Sequence, residues 1–188
     1  MEKLGTSASV GPTPGVQGAA APMDRLLRAF NELRDELVST LWFLLGNPED
    51  AQDAVQDVFL KCWRAHKTVE EVRDLRAWIF RVTLNVARDV QRSAWHRRTR
   101  QLSGGEAVLQ SKDPTPDQAL EKQEAKERLR QAIFLLRPEE KEVFLLRQNA
   151  NLTYEEIAQI RRSPLGTVKT QMRSALQKLR ERLGSGPP

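Results

Sequence analysis

Apolar side chains recur at helical spacing from Met23 onward. Leu26, Leu27, Phe30, Leu33, Leu37, Leu41, Leu44 and Leu45 follow a 3.6-residue period until Gly46-Asn47-Pro48 stops the run. One helix is predicted there. A second stripe, Ala51, Val55, Val58, Phe59, Cys62 and Trp63, leaves Asp53, Gln56 and Asp57 on another face and places Trp63 in the core. A short polar segment, His66 to Asp74, leads to a third stripe of Leu75, Trp78, Ile79, Val82, Val86 and Val90. Three helices of this kind can share one core.

The pattern then lapses. QLSGGEAVLQSKDPTP, Gln101 to Pro116, has a glycine pair and two prolines and reads as a linker. Thr115, Pro116 and Gln118 suit the N-cap, first-turn and capping-box positions of a new helix with the stripe Leu120, Leu129, Ala132, Ile133 and Leu136. Arg137-Pro138 ends it and starts another, lined by Val143, Phe144 and Leu146. Strand alternation is absent from the sequence. The predicted class is all-α: two small helical domains, residues 23–99 and 115–184, joined by a flexible linker at 100–114. Residues 1–22, rich in Gly, Pro, Ala, Ser and Thr without periodicity, and residues 185–188 are predicted to be disordered tails.

In the second domain, Thr153 and Glu156 form a capping box for a short helix through Ile160, and Ser163-Pro164 reads as an N-cap and first-turn proline for the next. That last helix carries Leu165, Val168, Met172, Ala175, Leu176, Leu179 and Leu183 on one face. Thr167, Lys169, Thr170, Gln171, Arg173 and Ser174 project elsewhere. This is a helix-turn-helix pattern, whose second helix enters the DNA major groove and reaches base edges from its N-terminal end. In isolation, a helical hairpin with a solvated basic face fits the same residues.

Charge narrows the choice. The formal net charge is +5 and the pI about 9.7, in blocks rather than evenly. Asn47 to Asp57 carries Glu49, Asp50, Asp53 and Asp57 with no base, whereas Arg76 to Arg100 has seven arginines against Asp89. Glu49 and Asp50 suit a helix N-terminus, where the dipole favours acids; Asp57, well inside the helix, does not gain that way. Such blocks suit a protein that touches a polyanion and a basic partner at different places. No apolar run approaches the roughly 20 residues of a membrane span, and the N-terminus lacks a signal-peptide core, so a cytoplasmic location and no membrane association are expected. Cys62 and His66 stand at a metal-binding spacing but lack the three or four ligands zinc needs, so no metal or other cofactor is expected. Without a phosphate loop, metal cluster or nucleophile with a base, an enzyme is the least favoured class.

Two blocks carry a family resemblance. LRPEEKEVFLLRQNANLTYEEIAQI followed by PLGTVKT resembles domain four of bacterial sigma factors, especially the extracytoplasmic-function group of the sigma-70 family. LLGNPEDAQDAVQDVFLKCWRA and LRAWIFRVTLNVARDVQR are similar to region two of that group. The resemblance spans about residues 24 to 183. It implies a promoter-recognition subunit that binds RNA polymerase core enzyme and promoter DNA, is regulated by an anti-sigma factor, and has no catalytic activity of its own.

By the same resemblance, Asp53, Gln56, Asp57 and Phe59 would dock on the clamp of the polymerase largest subunit. Asn85 would help hold a base flipped from the minus-10 element, in a pocket completed by the loop after His66. On the chemistry of the residues themselves, Arg81, Arg88, Arg92, Arg97 and Arg98 would contact phosphates, and Trp95 would stack on an unpaired base, shield a phosphate contact or cover the core. Lys169, Thr170 and Arg173, with Thr167 and Ser174 alongside, fall on the minus-35-reading positions, and Thr153 and Tyr154 lie where a helix start can hold a phosphate. The chain also departs from the family. Arg161-Arg162-Ser163 replaces a Leu-Gly-apolar turn, Gln171 and Leu176 stand where Arg is common, and Gln52 replaces a frequent acid. Two other classes fit parts of the sequence: a helix-turn-helix regulator independent of core polymerase, and a helical adaptor protein.

Overall fold

Alanine is the strongest helix former, and Ala19 to Ala21 start the first helix earlier than the apolar stripe alone predicts. The structure, a computed structural model, describes residues 17–100 and 118–184; of 17–21, 95–100 and 118–123 it describes the helical backbone alone. Helix α1, Gln17–Glu32, therefore takes in part of the segment expected to be a disordered tail. The single helix expected from Met23 to Leu45 is two, α1 and α2 (Arg34–Leu45), joined at Leu33. The N–H of Leu33 still donates to Ala29 at 3.1 Å and that of Leu37 to Leu33 at 2.9 Å. Hydrogen bonding thus passes through the junction while Phe30, Leu33 and Leu37 stay buried.

Gly46 ends α2 in the left-handed region, with φ 80°, where a glycine carries no Cβ penalty. Asn47 then caps α3, Pro48–Arg64: its side-chain oxygen accepts from the N–H groups of Glu49 and Asp50 at 2.8 and 3.4 Å. A 3-10 turn, His66–Glu70, leads to α4, Leu75–Arg100, where Asp74 accepts from the N–H of Ala77 at 2.9 Å. Leu26, Leu37, Leu41, Val58, Ile79 and Phe80 fill the core of this half. Trp63 does not join them. It is 39% exposed and tilts against Phe59 at 5.7 Å, contrary to its expected core position.

The second half comprises α5 (Gln118–Phe134), α6 (Pro138–Gln148), α7 (Tyr154–Arg161) and α8 (Leu165–Gly184). The expected cap at Thr115-Pro116 and the linker residues from Gln101 lie outside the described residues, as do residues 1–16 and 185–188. The Thr153–Glu156 capping box is present in both directions. The Ser163 cap is not: α8 starts at Leu165, its first bond runs from the N–H of Val168 to the Pro164 carbonyl at 3.2 Å, and the Ser163 hydroxyl makes no bond. Ser163 serves the preceding helix instead. Its N–H donates to Ala158 at 3.0 Å and the N–H of Arg162 to Gln159 at 3.3 Å, the two bonds of a Schellman motif, with Arg162 left-handed at φ 51°.

α5, α6 and α8 enclose Ile133, Leu136, Leu145, Ala175 and Leu179, and α7 packs Ile157 against Val168 and Met172. The two halves do not stand apart. α2 packs on α6 and α4 on α7, so the apolar cluster of the first half continues into Val143, Leu146 and Ile157 of the second.

Candidate nucleic-acid interface and the acidic helix face

On α3, the buried stripe turns Gln52, Asp53, Gln56 and Asp57 to the surface together. Gln56 and Phe59 line a groove of about 880 Å³ between α2 and α3, with Phe30, Trp42, Gln52 and Leu60. Asp53 and Asp57 lie beside it, exposed, and neither has a salt-bridge partner among the described residues. Leu60, 45% exposed, and Trp63 extend the same surface toward the helix end. The sequence reading missed both. The signal was there: Gln52, Gln56, Leu60 and Trp63 recur at intervals of four, four and three, an apolar continuation of the polar face. Cys62, on the opposite side, is fully buried, and that burial pushes its thiol up to about 12, so it stays protonated and unreactive.

Along α4, Arg81 and Asn85 are exposed one turn apart, and Arg88 follows one turn on. Arg88 is committed: its Nε and Nη2 donate to the two carboxylate oxygens of Glu142 on α6 at 3.0 and 2.8 Å. Arg92 is 70% exposed and 3.9 Å from Asp89, which also accepts from Lys61 at 3.0 Å. His66, beside the expected base pocket, meets the Trp63 carbonyl through Nδ1 at 2.8 Å. The side chain of Trp95 lies outside the described residues.

On α8, Thr167, Lys169, Thr170 and Arg173 are exposed, and Lys169 and Arg173 border a cleft of about 330 Å³ with Tyr154. The Thr170 hydroxyl donates back to the Gly166 carbonyl at 2.9 Å. Ser174 is turned inward: its hydroxyl donates to Glu140 at 2.7 Å, and Lys178 reaches both oxygens of that carboxylate at 2.7 and 2.8 Å. Glu140 is only 4% exposed. Burial alone pushes its pKa up, but Lys178, Ser174 and the Arg137 N–H more than offset this and hold it below the ordinary glutamate range. At the start of α7, the N–H and hydroxyl of Thr153 both donate to Glu156, whose own N–H donates back to the Thr153 hydroxyl, so the Thr153 groups expected to hold a phosphate are engaged within the cap.

The atypical turn also has partners. Arg161, whose side chain is 6% exposed, donates through Nε to Glu142 at 2.8 Å and through Nη1 to Gln171. Two of the departures from the family pattern are thus each other's partners.

A basic helix-turn-helix unit, joined to a helical domain with an exposed acidic face, places the chain in the class of helix-turn-helix proteins. Comparison with known proteins gives the family. Sigma-70 region 2 matches residues 29–97 and sigma-70 region 4 matches residues 132–181. The chain is 30% identical over 151 residues to the RNA polymerase sigma-E factor of Streptomyces coelicolor, covering 80% of this chain and 81% of that one. It is 28% identical over 178 residues to the ECF RNA polymerase sigma factor SigE of Mycolicibacterium smegmatis, covering 95% and 68%. Among solved structures, the sigma factor RpoE of Bartonella quintana, bound to the anti-sigma factor NepR, shares the fold with a TM-score of 0.65 at 21% identity, over 90% of this chain and 99% of that one. The chain belongs to the sigma-70 family of RNA polymerase sigma factors, in the extracytoplasmic-function group.

Proposed function

We propose that this protein binds RNA polymerase core enzyme through α3 and directs it to promoters that it reads at two places, with residues 23–99 serving core binding and the minus-10 element and residues 115–184 the minus-35 element. One observation carries the reading. A single chain matching both sigma-70 regions keeps Asp53, Gln56 and Asp57 accessible beside an apolar groove, and keeps Lys169 and Arg173 accessible on α8.

The chemistry follows from these groups. Asp53 and Asp57 supply uncompensated negative charge to a basic partner surface, with Gln56 hydrogen bonding and Phe59, Leu60 and Trp63 giving the apolar area that carries most interface energy. Lys169, Thr170 and Arg173 have donors for base edges and phosphates in a major groove, whereas Ser174, held by Glu140, fixes the helix rather than reading DNA. Asn85 offers one amide to an extruded base, and Arg81, Arg88 and Arg92 supply phosphate contacts beside it. We include an anti-sigma partner, supported by the solved complexes of similar folds with NepR and with the cytosolic domain of CnrY.

Paired variants test the division of labour. Asp57→Lys is expected to weaken capture by core polymerase while leaving minus-35 duplex binding unchanged. Arg173→Ala is expected to retain core capture and lose about 1–3 kcal/mol of base discrimination on the duplex. Parallel loss of both activities in both variants, each still folded by circular dichroism, would contradict it.

A further inference from the structure

We propose that Arg161 is a positioning residue for minus-35 recognition: it holds Gln171, and through Gln171 the N-terminal half of α8, so that Gln171 sets the pose of the reading helix and reads no base itself. This deepens the reading of α8 as the minus-35 reader and rests on it.

The two polar flanks of α8 are used differently. Val168, Met172, Ala175 and Leu179 are buried between them. On one flank Gln171, Ser174 and Lys178 recur at intervals of three and four, and each is bonded to a neighbouring helix: Ser174 and Lys178 to Glu140 of α6, Gln171 to Arg161 of α7. On the other flank Lys169 and Arg173 border the cleft with Tyr154, and neither has a salt-bridge partner among the described residues. One flank is stitched down, and the other is open to a ligand.

The stitch at Arg161 has no direct use on DNA. Its side chain is 6% exposed, too deep to reach a phosphate. A guanidinium at that depth is stable only with its charge paired, and its planar fork makes each bond directional. Nε donates to Glu142 of α6 at 2.8 Å and Nη1 donates to Gln171 Oε1 of α8, so one rigid group ties α7 to both neighbouring helices. The rotation of α8 about its own axis is thereby fixed at residue 171, midway between Lys169 and Arg173.

Base readout depends on that rotation, because a donor must meet a base edge at hydrogen-bonding distance and angle. A leucine at 161, the usual residue of the family, packs without direction and makes no bond to residue 171. Arg161 together with the arginine common at 171 would bring two guanidinium groups into one place, where they repel, whereas Gln171 offers Arg161 an acceptor. The two departures form one unit.

The test is a double-mutant cycle in the full chain with Arg161→Leu and Gln171→Ala, read as base preference on a duplex library randomised across the minus-35 window. Glu142 keeps its pair with Arg88 when Arg161 is removed, so no buried carboxylate is orphaned. Gln171→Ala alone is expected to lower discrimination between preferred and random duplexes by about 3- to 10-fold, spread over the bases met by Lys169 and Arg173, and to add nothing further in the Arg161→Leu background. Equal losses in both backgrounds, a loss confined to one further base position, or no loss at all would overturn the proposal. Gln171→Glu keeps an acceptor for Arg161 but no amide for a base, so it is expected to keep the base preference while weakening binding to all duplexes alike; lost preference would count against the proposal. Gln171 is only half-buried, so its two variants carry the test even if Arg161→Leu unfolds.

A second readout needs no DNA. The NMR signal of the Arg161 Nε–H, identified by its absence from Arg161→Leu, or from Arg161→Lys should the leucine variant unfold, is expected to exchange slowly with water and to shift in Gln171→Ala. A signal that exchanges fast, or one that does not move, would overturn the bond itself. A wild-type chain that prefers no duplex while this signal behaves as expected would sink the minus-35 reading, and the positioning role with it, while leaving the bond in place.

Discussion

Glu140 shows how one buried carboxylate can set a reading helix. It gathers Ser174 and Lys178 of α8 and the Arg137 N–H onto α6, so Glu140→Gln is expected to cost about 1–3 kcal/mol of stability, measured by urea unfolding at neutral pH. The pH dependence follows from its lowered pKa. The charged form is favoured by folding, so its contribution is complete above the ordinary glutamate range and is lost as the pH falls from there through the lower folded value. The wild-type protein should lose more stability than Glu140→Gln across that acid window, and equal slopes would contradict the role. Periodicity alone did not reveal this network, since Ser174 and Glu140 are 34 residues apart and a helical wheel shows only that Ser174 lies off the apolar face. Trp63 failed for a related reason: a stripe's edge has the same spacing whether it meets the core or a partner. Leu60→Asp is expected to weaken core-polymerase capture by about 1–2 kcal/mol in a competition assay without destabilising the fold, because Leu60 is already half in water.

At the scale of elements, the turn between α7 and α8 was legible as a break but not in its detail. Arg162 occupies the left-handed position where the family has glycine, and Arg161 replaces an apolar residue by pairing with Glu142 and Gln171. The turn therefore survives the substitutions, with a strained backbone at one position and a buried ion pair at the next. Arg162→Gly is expected to stabilise the protein by about 1 kcal/mol, removing the Cβ penalty, and to raise Tm by roughly 2–4 °C. Calorimetry showing a lower Tm would mean that the Arg162 side chain contributes more than its backbone costs. The helix start at Tyr154 was readable because its cap is local, the Thr153–Glu156 pair, whereas Asn47, an equally local cap, stood in the pattern only as part of the stop before Pro48. The break at Leu33 was not, since the apolar period runs through it without a glycine or proline.

For the molecule as a whole, the sequence pattern divided the chain into two helical halves, and the family matches at residues 29–97 and 132–181 fall within them. What the pattern could not reveal is that the halves meet. The residues that join them, Arg76, Arg88, Glu142 and Asn149, are polar and sit on faces that a helical wheel assigns to solvent. Trp42 and Phe43, which the apolar stripe predicted for that helix leaves out, pack against Phe134 of the other half. Function at this scale requires both halves on one enzyme and one promoter. The most direct measurement is in-vitro transcription by purified core polymerase on a pool of promoter fragments, with and without the protein. New transcripts from a restricted set of fragments, sharing two sequence elements and lost with Asp57→Lys, are the predicted result. The same transcripts with and without the protein, from core enzyme that fails to capture it, would contradict the account.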